Sequence, residues 1–163
     1  MNIRLAGIDD LEKLIQLRLD YFSASELTEN QAVSGRTADS EKTGEIEESL
    51  KKYFQKNLGY SLFVFLAEID GETAGTAFLI VFDWPPGPLV PGGRMGRVAN
   101  VLTYPRYRRQ GVATSLMRSL LEEAGRMKVS RIDLLATATG EKLYRQLGFV
   151  ENVDHLNLQI RLD

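Results

Sequence analysis

Asn100-Val101-Leu102-Thr103-Tyr104-Pro105-Arg106-Tyr107-Arg108-Arg109-Gln110-Gly111-Val112-Ala113-Thr114 is the stretch around which the chain is organised. Val98, Val101 and Leu102 read as a β-type run that ends at a proline-bounded turn. A basic loop with one glycine follows, and a helix opens at Val112 and continues through Leu116, Leu120 and Leu121. A strand, a cationic glycine loop and a helix start make an anion cradle. The first amides of a helix have no internal acceptor and lie at the positive end of the helix dipole, so a phosphate group finds donors and a favourable field there. Gly111 permits a left-handed backbone and close approach, small Ala113 keeps that approach clear, and Arg106, Arg108 and Arg109 attract a polyanion over distance. Neither G-x-x-x-x-G-K-[ST] nor G-x-G-x-x-G occurs anywhere in the chain; Arg108-x-x-Gly111-x-Ala113 stands instead.

Working outward, the chain opens with a short strand at Ile3-Arg4-Leu5. Asp9 or Asp10 can cap a helix with apolar positions Leu11, Leu14, Ile15, Leu17 and Leu19, which fades after Phe22. Ser23 to Lys42 is polar and reads as a mobile loop of the kind that often carries binding roles. A second helix is expected from about Gly44 to Asn57. Phe63 to Ile69 and Thr73 to Phe82 form a hairpin turned by Asp70-Gly71. Trp84-Pro85-Pro86-Gly87-Pro88 to Gly92-Gly93 cannot extend a ladder and connects to a strand at Arg94 to Thr103. A helix at Gly111 to Met127, a strand at Arg131 to Ala136, a short helix near Gly140 to Leu147 and a last strand at His155 to Leu162 complete the order. Antiparallel strands followed by a strand–helix–strand crossover give a mixed α/β sheet with helices on both faces.

Residues Arg108 to Ala113 resemble the acetyl-CoA signature [Q/R]-x-x-G-x-[G/A] of the GNAT N-acetyltransferases. Leu143-Tyr144-Arg145-Gln146-Leu147-Gly148-Phe149 is similar to that family's L-Y-x-x-x-G-F helix end, and Ile3-Arg4 with Asp9-Asp10-Leu11 to its opening strand and helix. The resemblance spans essentially the whole chain as one domain, 1–163. It implies the GNAT fold, a mostly antiparallel sheet with a splayed strand pair. It implies transfer of an acetyl group from acetyl-CoA, as cosubstrate, to a primary amine by direct attack in a ternary complex.

By motif position the resemblance assigns Val101, Leu102 and Thr103 to the pantetheine arm. It assigns Arg108, Arg109, Gln110, Gly111, Val112, Ala113 and Thr114 to the pyrophosphate, mostly through main-chain groups. Strand core is the plain reading of Val101 and Leu102, and a solvated surface cluster that of Arg108 and Arg109. Tyr144 falls at the family's general-acid position, protonating the departing CoA thiolate; a phenol suits that task, and core packing beside Leu143 and Leu147 is the plain alternative. The chain departs from the family pattern twice. Thr137 stands where many members carry a cofactor-contacting asparagine, and a hydroxyl, there or at Thr139, keeps only part of that contact. Arg97 stands where some members carry a glutamate base, and an arginine is no base at working pH. Arg97 and Asn100 are candidates to read the acceptor, an arginine there favouring a carboxylate, with pairing to a surface carboxylate as the alternative for Arg97. Glu45, Glu47 and Glu48 point the other way, toward a cationic amine, a solvated helix face being the plain reading. Tyr21 and Phe22 lie where the family often lines its acceptor site, core packing being the plain reading.

The composition sets bounds on the rest. At 163 residues, 44% hydrophobic and 26% charged, the chain suits one well-buried domain. A net charge of −2 offers nucleic acid no general attraction, so a binding module built on the arginines with Tyr104 and Tyr107 is the weakest reading. There is no cysteine, hence no disulfide and no thiolate nucleophile, and the single histidine, His155, speaks against a multi-histidine metal site. No metal is expected. The opening M-N-I-R-L-A-G-I-D-D carries no apolar run and no stretch nears about 18 apolar residues, so a cytoplasmic location without a membrane anchor is expected. The acceptor is a small-molecule or peptide amine and a homodimer stays open; a non-catalytic CoA-binding sensor is the rival function.

Overall fold

The computed structural model describes residues 1–29 and 40–152. Five strands form one sheet in chain order: β1 (Asn2–Leu5), β2 (Leu62–Ile69), β3 (Glu72–Asp83), β4 (Arg94–Thr103) and β5 (Arg131–Asp133). The first four pair antiparallel and β5 runs parallel to β4. Helices α1 (Leu11–Glu29) and α2 (Ser40–Asn57) cover one face, and α3 (Val112–Arg126) and α4 (Glu141–Gln146) the other. The expected mixed sheet with helices on both faces is present.

Alternation along β2 and β3 splits their apolar residues between two cores. Phe65, Ala67, Ala77, Leu79 and Val81 meet Val112, Leu116, Met117 and Leu120 of α3. Val64, Leu66 and Phe78 meet Leu14, Ile15 and Leu17 of α1 and Phe54 of α2 on the other side, with Leu102 of β4. Leu120 is fully buried, so truncating it to alanine would cost about 2–5 kcal/mol. Arg4 pins the start of this assembly: its guanidinium forks onto Asp10 at 2.7 and 2.8 Å and reaches Glu68 at 2.8 Å, tying β1 to the foot of α1 and to β2. Asp10 also accepts the Gly7 amide at 3.0 Å, and these bonds, Arg4 first, hold its carboxyl well below the usual carboxylate range.

Three expectations change. First, α1 does not fade at Phe22 but continues to Glu29, and α2 begins at Ser40 instead of near Gly44. Ser, Thr and Glu are all compatible with a helical backbone, and no Gly or Pro stands between Leu11 and Gly35. Of the expected mobile loop, residues 30–39 lie outside the described residues, as does the expected last strand with His155. Second, β5 stops at Asp133 instead of Ala136, and Leu135 is exposed. Third, Ile8–Asp10 forms a 3-10 turn ahead of α1, with Asp10 accepting the Gly7 amide.

Two irregularities of β4 shape the site. Only Met95, Gly96 and Arg97 pair with β5, so among the described residues β4 from Val98 to Thr103 has an open edge on that side. On its other side the register with β3 slips between Thr76 and Phe78, leaving Asn100 and Val101 opposite Ala77 alone. Asn100 takes φ 50 in this bulge.

Candidate functional site

The open edge of β4 leads into the cradle. After Thr103 the chain makes a 3-10 turn at Pro105–Tyr107, and Gly111 then caps α3 in the left-handed region at φ 79. A Cβ at Gly111 would meet nothing within 4 Å, so it is the backbone angle that calls for glycine there. Arg109 also has a positive φ of 63, so two left-handed residues curl the loop around its own amides. Val112, Ala113 and Thr114 are the helix's unpaired donors, and the Ser115 amide is the first in α3 to reach a backbone acceptor, Gly111 O at 3.0 Å. Arg108 donates Nε to the Thr103 carbonyl at 3.2 Å, clasping the loop to the strand end, and Gln110 donates to the Arg106 carbonyl at 2.9 Å. Arg106 pairs with Glu72. Arg108 and Arg109 remain exposed at the mouth. Val101 and Thr103 are partly buried and Leu102 is core; the Thr103 hydroxyl is buried with no hydrogen-bond partner among the described residues.

Tyr144 lies on α4, half-buried against the α3-side core. The helix ends in a reverse turn, with the Phe149 amide on the Tyr144 carbonyl at 3.0 Å and the Gly148 amide on Arg145 at 3.1 Å, Gly148 being left-handed at φ 92. This turn folds Phe149 back edge-on against the Tyr144 ring at 6.0 Å. The ring also lies over Gly140, where a Cβ would fall 2.8 Å from Tyr144 Cε2. The L-Y-x-x-x-G-F pattern is therefore a device that fixes one phenol. Burial first, and then the facing Tyr21, pushes the Tyr144 hydroxyl above the usual phenol range. It stays protonated at neutral pH.

Tyr21 belongs to a cluster on α1. Arg18 lays its guanidinium over Phe22, 4.2 Å from the ring centroid, and 5.6 Å from that of Tyr21; its Nη1 donates to Asn100 Oδ1 at 2.9 Å. Asn100 is 2% exposed and its Nδ2 finds no partner among the described residues. Tyr104, just past β4, donates to Asp20 and so ties α1 to the loop; burial, then Asp20, raises its hydroxyl's pKa.

The remaining predicted residues are placed differently. Arg97 sits opposite Asp133 on β5 and forks onto its carboxylate at 2.8 and 3.1 Å. That bond holds the guanidinium firmly charged. The pairing alternative is thus the one the structure displays. Thr137 and Thr139 are exposed, their hydroxyl oxygens 3.1 Å apart, and the Thr137 carbonyl accepts the Gly140 and Glu141 amides at the start of α4. Glu45, Glu47 and Glu48 lie exposed on α2. Glu47 and Glu48 flank a groove between α1 and α2, and a second groove is lined by Lys13, Glu72 and Tyr104; neither is lined by Tyr144, Asn100 or residues 108–114. Sequence reasoning missed Arg18. Its signal was present as Arg18-x-x-Tyr21-Phe22, a cation followed by aromatics three and four residues on, which share a helix face.

Among the described residues no cluster of His, Asp or Glu could hold a metal ion, and no helix is long and apolar enough to cross a membrane.

Comparison with known proteins follows the same lines. The model of the acetyltransferase (GNAT) family matches residues 12–149. A predicted acetyltransferase with acetyl-CoA from Clostridium acetobutylicum superposes with a TM-score of 0.76 at 26% identity, over 97% of this chain and 95% of that one. A GCN5-related N-acetyltransferase from Ralstonia eutropha gives 0.77 at 24% identity, over 98% and 97%. A ribosomal-protein-alanine N-acetyltransferase from Brucella melitensis gives 0.69 at 21% identity, over 99% and 100%. The latter two speak to fold alone. No curated protein matches.

Proposed function

Because this chain belongs to the GNAT acetyltransferase family, we propose that it moves an acetyl group from acetyl-CoA to a primary amine by direct attack in a ternary complex. One observation carries the reading: the unpaired edge of β4 from Val98 to Thr103 runs into the left-handed amide loop at the head of α3, with a fixed, protonated Tyr144 packed on the same core as α3. The residues fit the cosubstrate. An extended amide-bearing arm would satisfy the open backbone of Val101, Leu102 and Thr103 and offer the buried Thr103 hydroxyl a partner. The amides from Arg109 to Thr114 suit a pyrophosphate, Arg108 and Arg109 add attraction at the mouth, and Thr137 would add a lesser contact. The relative from Clostridium acetobutylicum with acetyl-CoA supports that choice.

Bound there, acetyl-CoA supplies an acyl group activated as a thioester. The chain has no cysteine to accept it, which agrees with direct attack by the amine. Tyr144 holds its proton at the phenolic oxygen and delivers it to the leaving sulfur. Arg97 serves no base role, being a guanidinium bound to Asp133. Deprotonation of the acceptor amine then falls to water, to a more distant carboxylate, or to the fraction of free amine in solution.

The experiment is thiol release from acetyl-CoA across pooled amino acids, polyamines, aminoglycosides and peptide N-termini, with acetyl-CoA binding measured in parallel. Turnover on one pool supports the transferase. Tight binding without turnover on any pool favours the non-catalytic CoA-binding sensor instead.

A further inference from the structure

Resting on the transferase reading, we propose that Arg18 and Asn100 form a carboxylate-binding subsite. The acceptor is then an amine that also bears an acid, such as an amino acid or a short peptide with a free C-terminus.

The argument begins with a charge that lacks a counter-ion. Arg4, Arg97, Arg106, Arg126 and Arg145 each hold a carboxylate. Arg18, like the partly buried Arg94 and Arg131, pairs with no acid among the described residues; it differs in that its neighbours are the rings of Tyr21 and Phe22 and one buried amide oxygen. Burying a cation without a partner is costly, yet a guanidinium does not shed its proton, so the site carries a standing demand for an anion. Burial is also the main cause lowering the Arg18 pKa, as expected for a cation removed from water without compensation.

Asn100 makes the same demand independently. Its Oδ1 is taken by Arg18 Nη1 at 2.9 Å, while Nδ2 is buried with nothing to donate to. An orphaned buried donor costs about 1–3 kcal/mol, and the residue also holds a left-handed backbone in the bulge. The groups left over here, Asn100 Nδ2 and the Nε and Nη2 of Arg18, are all donors. Only an acceptor can satisfy them together, and a planar carboxylate matches a guanidinium fork beside an amide. A single cation balances a monoanion; a phosphate dianion would leave a net negative charge in a half-buried site.

The subsite is also where an acceptor should be. Tyr21, under Arg18, faces Tyr144 closely enough to raise its pKa. Asn100 lies at the β4 bulge next to Val101, where the open edge of that strand begins to serve the acyl donor. An acid anchored on Arg18 lies on the α1 face of the sheet, beside Tyr21 and the open edge of β4.

The test uses matched pairs in the thiol-release assay: each amino acid against its amide, with phosphoethanolamine and a polyamine as further arms. The wild type should prefer the acid over the amide by at least about tenfold in kcat/KM, chiefly through KM. Arg18→Gln should bring that ratio near one, and Arg18→Lys should restore part of it. Asn100→Asp supplies the missing carboxylate from within the chain; it should raise the thermal midpoint and lose the preference. Calorimetric acetyl-CoA binding reports whether each variant remains folded, and where Arg18→Gln does not, Arg18→Lys, Asn100→Asp and the wild-type ratio decide. Equal rates on acids and amides, preference for phosphoethanolamine or the polyamine, or a preference that survives Arg18→Gln overturns the subsite while leaving acetyl transfer in place. Acetyl-CoA binding with no turnover of any amine overturns the transferase reading and the subsite with it.

Discussion

From Arg109 to Thr114 the site consists of main chain, whereas from Arg18 to Tyr144 it consists of side chains gathered from α1, β4 and α4. The first region offers helix amides and two left-handed turns, and only Gly111 there depends on residue type. The second depends on the side chains of particular residues: a guanidinium, an amide and a phenol. Groups supplied by the backbone recognise a ligand common to a whole family; side chains on separate elements let one member differ from the next in its acceptor. Each region should therefore fail in its own way when altered.

The largest effect is expected at Tyr144. Tyr144→Phe keeps the ring on Phe149 and Gly140 and removes only the proton, so maximal turnover should fall by on the order of 100-fold while acetyl-CoA affinity holds. An unchanged rate would remove the assignment. The pH profile adds a sign. Burial raises the folded pKa above the usual phenol value near 10, so the phenol keeps its proton throughout the ordinary working range. Turnover should rise with pH as the acceptor amine deprotonates, and any loss due to Tyr144 should begin only above about pH 10.

Gly111→Val reverses the pattern. Forcing a β-branched residue to φ 79 costs about 1–3 kcal/mol, so the loop should lose its shape and acetyl-CoA binding should weaken by roughly tenfold or more. Discrimination among acceptors should hold. A variant that binds acetyl-CoA normally would break the distinction between the two regions.

Arg4→Met reaches neither ligand region directly and should cost about 1–2 kcal/mol in chemical denaturation, leaving Asp10 and Glu68 facing one another. Both carboxyls are held below their usual range by Arg4, so their contribution is present above about pH 4 and is lost as pH falls through the folded values. The wild type should lose stability faster than the variant on acidification below pH 4.

The smallest effect is expected at the mouth. Arg109 is exposed, so Arg109→Ala should weaken acetyl-CoA binding only about two- to threefold, an effect that fades in high salt.

The same contrast explains what the sequence disclosed. The cradle was legible because its parts are contiguous: a β run, a proline stop, one glycine and a helix onset within fifteen residues. The frame of Tyr144 was legible for the same reason, since the turn that fixes it closes between Tyr144 and Phe149. The other side was not. Arg97 meets Asp133 from 36 residues away, and Arg18 meets Asn100 from 82, contacts that register and crossover create and no local pattern announces. The bulge that turns Asn100 into the protein arises from a slip against β3, and the tail of α1 read as loop because its Ser, Thr and Glu composition is shared by helices and loops.

The claim at the centre, that acetyl-CoA is held by main chain along β4 and the head of α3, is tested most directly by amide NMR. On titration with acetyl-CoA, the largest shifts should fall on residues 101–103 and 109–114, with the α1–α2 groove around Glu47 and Lys51 unmoved. Shifts confined to that groove or to the Arg106 and Glu72 surface, with residues 109–114 silent, would contradict it.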